Sequence, residues 1–325
     1  MDTYNGFRSE LFLKEEKERK NISYVSKITG LCIIAYVVLQ NLLSIPFMFN
    51  PLNKIYNENP TMQLTFSMLL SVLSILLPFA VGGKMIKAKT RLQVQEFREP
   101  ASVPLMLSAT ALGFFVCLIG NYVSGIFLSY AENIGFQLTA PEFNIPSGFF
   151  GRLVYIISIA VTPALVEEFA FRGAVLQPLR RYGDMFAIIA SSAVFALLHG
   201  NLVQAPFAFI AGLGIGYAVC ITNSLWTGIL IHFCNNLLSV VTAFMIEDIA
   251  NEDLLNSIYT ILMVALYAVS ILGSVIFVML KEKRKLTPSF TVSNAFQKTT
   301  ALITIPSVIA FIIMLYITKG FVSFK

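Results

Sequence analysis

Long apolar stretches, separated by short polar ones, run through almost the whole chain. A stretch of about 20 apolar residues predicts a transmembrane helix, because that length crosses a hydrocarbon core ~30 Å thick. Two stretches, 185–199 and 206–221, are short for complete spans, and a partly re-entrant path is allowed for one of them only where protein or a water-filled cavity shields the backbone. The nine predicted spans, with eight as the nearest alternative, are 28–49, 64–83, 103–130, 153–179, 185–199, 206–221, 225–246, 258–280 and 301–317. The pattern therefore predicts an all-α fold, a polytopic membrane helix bundle of about eight to nine transmembrane helices.

Composition supports this class. Of 325 residues, 56% are hydrophobic and only 13% are charged, which is far too apolar for a soluble domain of this length. Basic residues collect on one set of polar segments, as expected of cytoplasmic loops, and this bias explains the net charge of +5 without nucleic-acid binding. With the N-terminus inside, the cytoplasmic segments hold 18 of the 23 basic residues: Arg8, Lys14, Lys17, Arg19, Lys20, Lys27, Lys84, Lys87, Lys89, Arg91, Arg98, Arg180, Arg181, Lys281, Lys283, Arg284, Lys285 and Lys298. The opposite side holds Lys54, Arg152, Lys319 and Lys325.

Four regions follow from these patterns. Residues 1–27 carry the run KEEKERK and no apolar core, which predicts a solvated cytoplasmic helix and not a removable signal peptide. Residues 28–152 are predicted to form N-terminal transmembrane helices. Residues 153–246 are predicted to form a catalytic-type membrane core of four helices that holds the site, and residues 247–325 the C-terminal transmembrane helices.

Charged residues interrupt the apolar stretch at 161–181. An ionised side chain at the centre of a bilayer costs at least ~2.5–3.5 kcal/mol, so such a cluster is by default a functional-site hypothesis. Glu168 and Arg172 are four residues apart and are predicted to form an ion pair on one helix face, whereas Glu167 is rotated by about 100° and stays available for chemistry. A buried structural ion pair with a spare acid is the alternative interpretation.

The chain has only two histidines, and both lie in the predicted helices that follow the glutamates. Phe195 is four residues before His199, so its ring can pack on the imidazole; His232 and Asn236 have the same spacing and project side by side. The rise of an α-helix, ~1.5 Å per residue, lets Glu167, His199, His232 and Asn236 meet near the middle of the membrane. The sequence therefore predicts one polar site built from consecutive helices.

Two further polar or small-residue features have structural interpretations. The stretch AGLGIGY resembles a dinucleotide-binding loop, but it lies within an apolar helical run, so Gly212 and Gly216 are predicted to allow close helix packing. Asn121 and Gln40 or Asn41, in the outer helices, are predicted to be interhelical hydrogen-bond partners.

Three motifs occur in order along the chain, and together they resemble a known family. EEFAFRG at 167–173 resembles the EExxxR motif, FALLH at 195–199 resembles FxxxH, and HFCNN at 232–236 resembles HxxxN of the CPBP family, the CAAX proteases and bacteriocin-processing enzymes also called Abi. The resemblance implies an all-α intramembrane endopeptidase without a cofactor. It implies that Glu167 and His199 activate water, and that His232 and Asn236 polarise the scissile carbonyl and hold the oxyanion. Glu168, Arg172 and Phe195 would support the site by ion pairing and packing.

Other interpretations stay open at this point. Zinc is the alternative cofactor, with Glu167, His199 and His232 as ligands. A non-proteolytic membrane scaffold or regulator of the same family is one alternative function, and a proton-coupled transporter is another. The expected partners are a membrane-associated peptide or protein substrate and the lipid bilayer, and the expected location is a bacterial plasma membrane.

Overall fold

A computed structural model describes residues 2–94, 97–100, 102–141, 144–281, 284–288 and 291–324, with side chains described from residue 9 to 323 within these ranges. Lys283 and Lys325 lie outside the described residues, as does the side chain of Arg8. The described part of the chain is almost entirely helical. Its helices are α1 Asp2–Ser44, α2 Leu52–Glu58, α3 Pro60–Thr90, α4 Val103–Asn133, α5 Gly148–Ile156, α6 Thr162–Glu168, α7 Gln177–Leu179, α8 Asp184–Leu198, α9 Ala205–Thr222, α10 Leu225–Asp248, α11 Glu252–Leu280, α12 Ala295–Ala301 and α13 Ile305–Lys319. Strands β1 Phe136–Leu138 and β2 Val322–Phe324 pair antiparallel.

The predicted helical membrane bundle is confirmed, and the protein is an integral multi-pass membrane protein. Among the described residues, seven helical segments are long and apolar enough to cross a membrane, and the number rises to eight if α12 and α13, bent by 73° at their junction, count as one span. The predicted span that is not among them is 185–199, which corresponds to α8, a helix of only 15 residues.

Contacts at the two ends of the bundle show that the helices alternate in direction. At the basic end, Lys298 Nζ donates to the Tyr182 carbonyl at 3.1 Å, and Ser224 Oγ donates to the Arg98 carbonyl at 2.8 Å. At the other end, Arg152 Nη1 donates to Asp248 Oδ2 at 2.6 Å, and β1 pairs with β2. We call these ends the basic face and the opposite face. This arrangement agrees with α8 running from the basic face toward the opposite face and α9 returning.

The N-terminal tail does not form a separate solvated element. Helix α1 runs without a break from Asp2 to Ser44, across the predicted boundary at residue 27. Glu18 is buried and its Oε2 accepts from the Ser293 backbone N–H at 3.0 Å, while Ile22 is fully buried. The prediction of a solvated tail is therefore wrong for this face of the helix, because segment 291–301 covers it.

The glutamate-bearing segment is one long helix with two irregular stretches. Residues 148–182 form α5, α6 and α7, joined by π-helical turns at Ile157–Val161 and Phe169–Leu176. Pro163 is the second residue of α6 and has no backbone N–H to donate to the carbonyl of Ile159, four residues earlier. Single π-helical turns are common at functional sites, and here they flank Glu167 and Glu168.

Candidate active site

A buried ion pair lies at the base of the site. Arg172 Nη1 donates to Glu168 Oε1 at 3.0 Å, and neither side chain has any exposed surface. Arg172 also packs its guanidinium over the Phe195 ring, 4.6 Å from the ring centroid. Gly212 in α9 supplies a carbonyl 3.5 Å from Arg172 Nη2. Since an isolated buried charge is costly, this pairing is what makes two adjacent glutamates tolerable in an apolar helix.

The same glutamate also holds a histidine. His232 Nδ1 lies 3.0 Å from Glu168 Oε1, and because a carboxylate oxygen only accepts, Nδ1 carries the proton and donates it. The imidazole is therefore fixed in one orientation with Nε2 directed away from Glu168. Nε2 lies 3.9 Å from Glu167 Oε2. Glu168 thus links the EExxxR segment to α10, while Glu167 faces the other nitrogen of the same ring.

A glycine permits this contact between the two helices. Gly228 is one helical turn before His232, on the same face of α10. A Cβ added at Gly228 would lie 2.8 Å from Glu168 Oε2 and 2.9 Å from Val219 Cγ2. The glycine therefore lets α10 approach the buried carboxylate closely enough for His232 to reach it. Among the described residues, Glu168 Oε2 has no hydrogen-bond partner.

Glu167 differs from its neighbour in its surroundings. Its side chain is 20% exposed and lines a cavity of about 670 Å³. His199, His232 and Asn236 line the same cavity, as does Phe195. The structure therefore brings all four residues with predicted catalytic roles to one cavity, of a size that suits a small ligand or a short peptide segment.

His199 occupies the end of α8. Its Nδ1 lies 2.9 Å from the Phe195 carbonyl, which only accepts, so Nδ1 donates and Nε2 of the neutral ring is free to accept a proton. The two rings meet edge to face, with centroids 4.9 Å apart. Gly200, at φ +62°, ends the helix, and buried Asn201 holds the following turn by donating to the His199 carbonyl at 2.9 Å.

Asn236 is fixed by an amide relay across three helices. Asn121 Nδ2 donates to Asn235 Oδ1 at 3.3 Å, Asn235 Nδ2 donates to Asn236 Oδ1 at 3.2 Å, and Asn236 Nδ2 donates to the Ile159 carbonyl at 3.1 Å. Pro163, four residues after Ile159, has no backbone N–H to donate to this carbonyl. The prediction of an interhelical hydrogen bond is confirmed for Asn121, whereas Asn41 Nδ2 donates to the Val37 carbonyl of its own helix at 2.8 Å. Asn236 keeps one of its two N–H groups for another acceptor.

Glu167, His199 and His232 are the residue types that could also bind zinc. Across the described ranges, no group of three or more His, Cys, Asp and Glu side chains is arranged to hold a metal ion. His232 nevertheless has the hydrogen bond from Nδ1 to a carboxylate that often orients a metal-binding imidazole. The zinc alternative remains a prediction, which the zinc content of the purified protein would test.

Sequence reasoning missed three features of this site. It paired Glu168 with Arg172 only, and the contact with His232 was not expected. It gave no role to Asn235 or to Gly228, although a small residue one turn before His232 is a recognisable signal for close helix approach. It also did not connect Pro163, whose missing N–H is readable from sequence, with the Ile159 carbonyl that accepts from Asn236.

Comparison with known proteins supports the resemblance over this segment. Residues 149–238 match the family model described as type II CAAX prenyl endopeptidase, Rce1-like. The matched region contains all three motifs and ends within α10. The similarity to CAAX-type intramembrane endopeptidases is thereby confirmed for this part of the chain. No curated protein and no solved structure matches the chain.

Proposed function

We propose that the chain is an intramembrane endopeptidase that hydrolyses a peptide bond of a membrane-associated peptide or protein with glutamate-activated water. The observation that carries the proposal is the division of roles between adjacent carboxylates. Glu168 is buried and held by Arg172 and His232, whereas Glu167 faces the cavity beside His232 Nε2. A carboxylate with one face toward a water-accessible cavity and a histidine in reach is suited to general-base chemistry.

In this proposal Glu167 takes a proton from a water molecule while the oxygen of that water molecule attacks the carbonyl carbon of the peptide bond. His199, with its Nδ1 held by the Phe195 carbonyl, assists through Nε2. The carbonyl π bond opens to an oxyanion, the carbon–nitrogen bond then breaks, and the proton held by Glu167 passes to the leaving nitrogen. The family match supports endopeptidase activity in general; the assignment of each step to a residue is our proposal.

The oxyanion is held by donors from α10. Asn236 offers its remaining N–H, and His232 offers Nε2–H when both ring nitrogens are protonated. Fixed donors in a low-dielectric site stabilise developing negative charge far more than the same groups do in water.

The test is cleavage by the purified protein in proteoliposomes that contain a farnesylated peptide and an unprenylated apolar peptide. Hydrolysis in water enriched in heavy oxygen places that isotope in the new carboxylate, and mass spectrometry reads it. We expect isotope-labelled product with the wild type, and formation of that product about 10²–10⁴ times more slowly with Glu167→Gln. Absence of cleavage in both, with the protein folded, would favour the scaffold alternative. The two peptides also separate a prenyl-dependent activity from a general one.

A further inference from the structure

The site cavity reaches toward only one face of the membrane. Helix α3 runs from the opposite face to the basic face, and its lining residues belong to its first half, from Leu64 to Ile75. Helix α4 runs the other way, and its lining residues belong to its second half, from Cys117 to Leu128. Pro141, just after β1, also lines the cavity. Among the described residues, the cavity wall thus extends from the glutamates toward the opposite face.

A packed layer closes the cavity toward the basic face. Phe171 is fully buried between Phe79, 5.6 Å away, and Phe195, 5.1 Å away between ring centroids. Arg172 and Leu176, next along the same helix, are also fully buried. A separate cavity of about 810 Å³ lies beyond this layer, beside Gln177 and Arg180, and among the described residues it shares no lining residue with the site cavity.

We propose that water and substrate reach Glu167 from the side of the opposite face and not from the basic face, so that the peptide bond cleaved is presented from outside the cytoplasm. The basic face carries most of the lysine and arginine, and such segments stay in the cytoplasm. The substrate class is therefore an exported or membrane-anchored peptide with its scissile bond on the extracytoplasmic side. This proposal rests on the proposed function for the identity of the ligand as a peptide, but the direction of access does not.

Direction of access can be measured by thiol labelling in a background that lacks the four native cysteines. Ser71→Cys places a thiol in the cavity wall, and Leu73→Cys places one on the lipid-facing side of the same helix at almost the same depth. Gln93→Cys lies in the basic-face cavity and reports the cytoplasm. Ser239→Cys, on the α10 wall of the site cavity, is a second probe if Ser71→Cys fails to fold.

We expect a membrane-impermeant maleimide added to intact cells to label Ser71→Cys at least about tenfold faster than Leu73→Cys, because only a thiol in contact with water forms the reactive thiolate. Gln93→Cys should be labelled only in inverted vesicles. Labelling of Ser71→Cys only in inverted vesicles, or at the rate of Leu73→Cys, would overturn the proposal. Labelling of Gln93→Cys in intact cells would overturn the extracytoplasmic assignment. These outcomes need no proteolysis, so they are independent of the cleavage assay.

Discussion

Glu168 and His232 share a hydrogen bond of 3.0 Å through the carboxylate oxygen that also receives Arg172. One buried oxygen therefore joins the glutamate helix to α10 and sets the orientation of the imidazole. Loss of its charge would leave both a guanidinium and an imidazole without their partner in an apolar environment. The consequence for mutants is a clear separation between the two adjacent glutamates.

Glu168→Gln should destabilise the protein, and Glu167→Gln should not. Removing one partner of a buried ion pair costs about 3–5 kcal/mol, so the first change should lower the thermal unfolding temperature in detergent. The second change alters a group that faces the cavity and should lower the cleavage rate by about 10²–10⁴ through loss of the general base. The two variants are matched controls for each other, since each replaces one glutamate by glutamine. Equal losses of stability, with activity kept in Glu167→Gln, would refute the assignment of roles.

Gly228→Ala should disturb the site without replacing an ionisable residue. Its new Cβ would lie 2.8 Å from Glu168 Oε2, so either the carboxylate or α10 must move. Overpacking of this kind costs about 1–3 kcal/mol. The control for unfolding temperature is Gly125→Ala, where an added Cβ meets nothing within 4 Å. An unfolding temperature equal to that of the control would show that the helices at Gly228 have more room than the structure indicates.

Asn236→Ala should reduce the rate of the chemical step by about 10²–10³, as expected for loss of one oxyanion donor. Asn235→Ala should reduce kcat less and leave KM nearly unchanged, because Asn235 orients Asn236 by donating from Nδ2 to Asn236 Oδ1. The measurement is steady-state cleavage of one peptide by each variant. A change in KM alone for either variant would place the amide relay in substrate binding.

Elemental analysis of active, detergent-purified protein should find no stoichiometric zinc. In the metal-free mechanism Glu167, His199 and His232 act on protons and the oxyanion, so chelation should leave cleavage unchanged. Treatment with a chelator followed by readdition of zinc is the companion experiment. Zinc at one equivalent, with activity lost on chelation and restored by the metal, would make these three residues metal ligands.

The sequence was most informative where a local rule decides the outcome. Apolar stretches predicted the helices, and helical spacing predicted that Glu168 could reach Arg172 and that Phe195 could reach His199. The contact between Glu168 and His232 joins residues 64 positions apart and depends on how closely α10 approaches, which spacing within one helix cannot report. The length of α8 and the coverage of α1 by segment 291–301 are likewise set by packing between distant segments.

The pairing of β1 with β2 has a consequence for biosynthesis. Phe136 in β1 leaves the ribosome long before Phe324 in β2, and all the apolar segments between them must insert into the membrane before the strands can meet. Pro141, at the rim of the site cavity, lies directly after the first strand. The rim therefore acquires its final form only after α13 is in place, so a nascent chain that already contains every side chain with a proposed catalytic role still lacks a finished opening to its site.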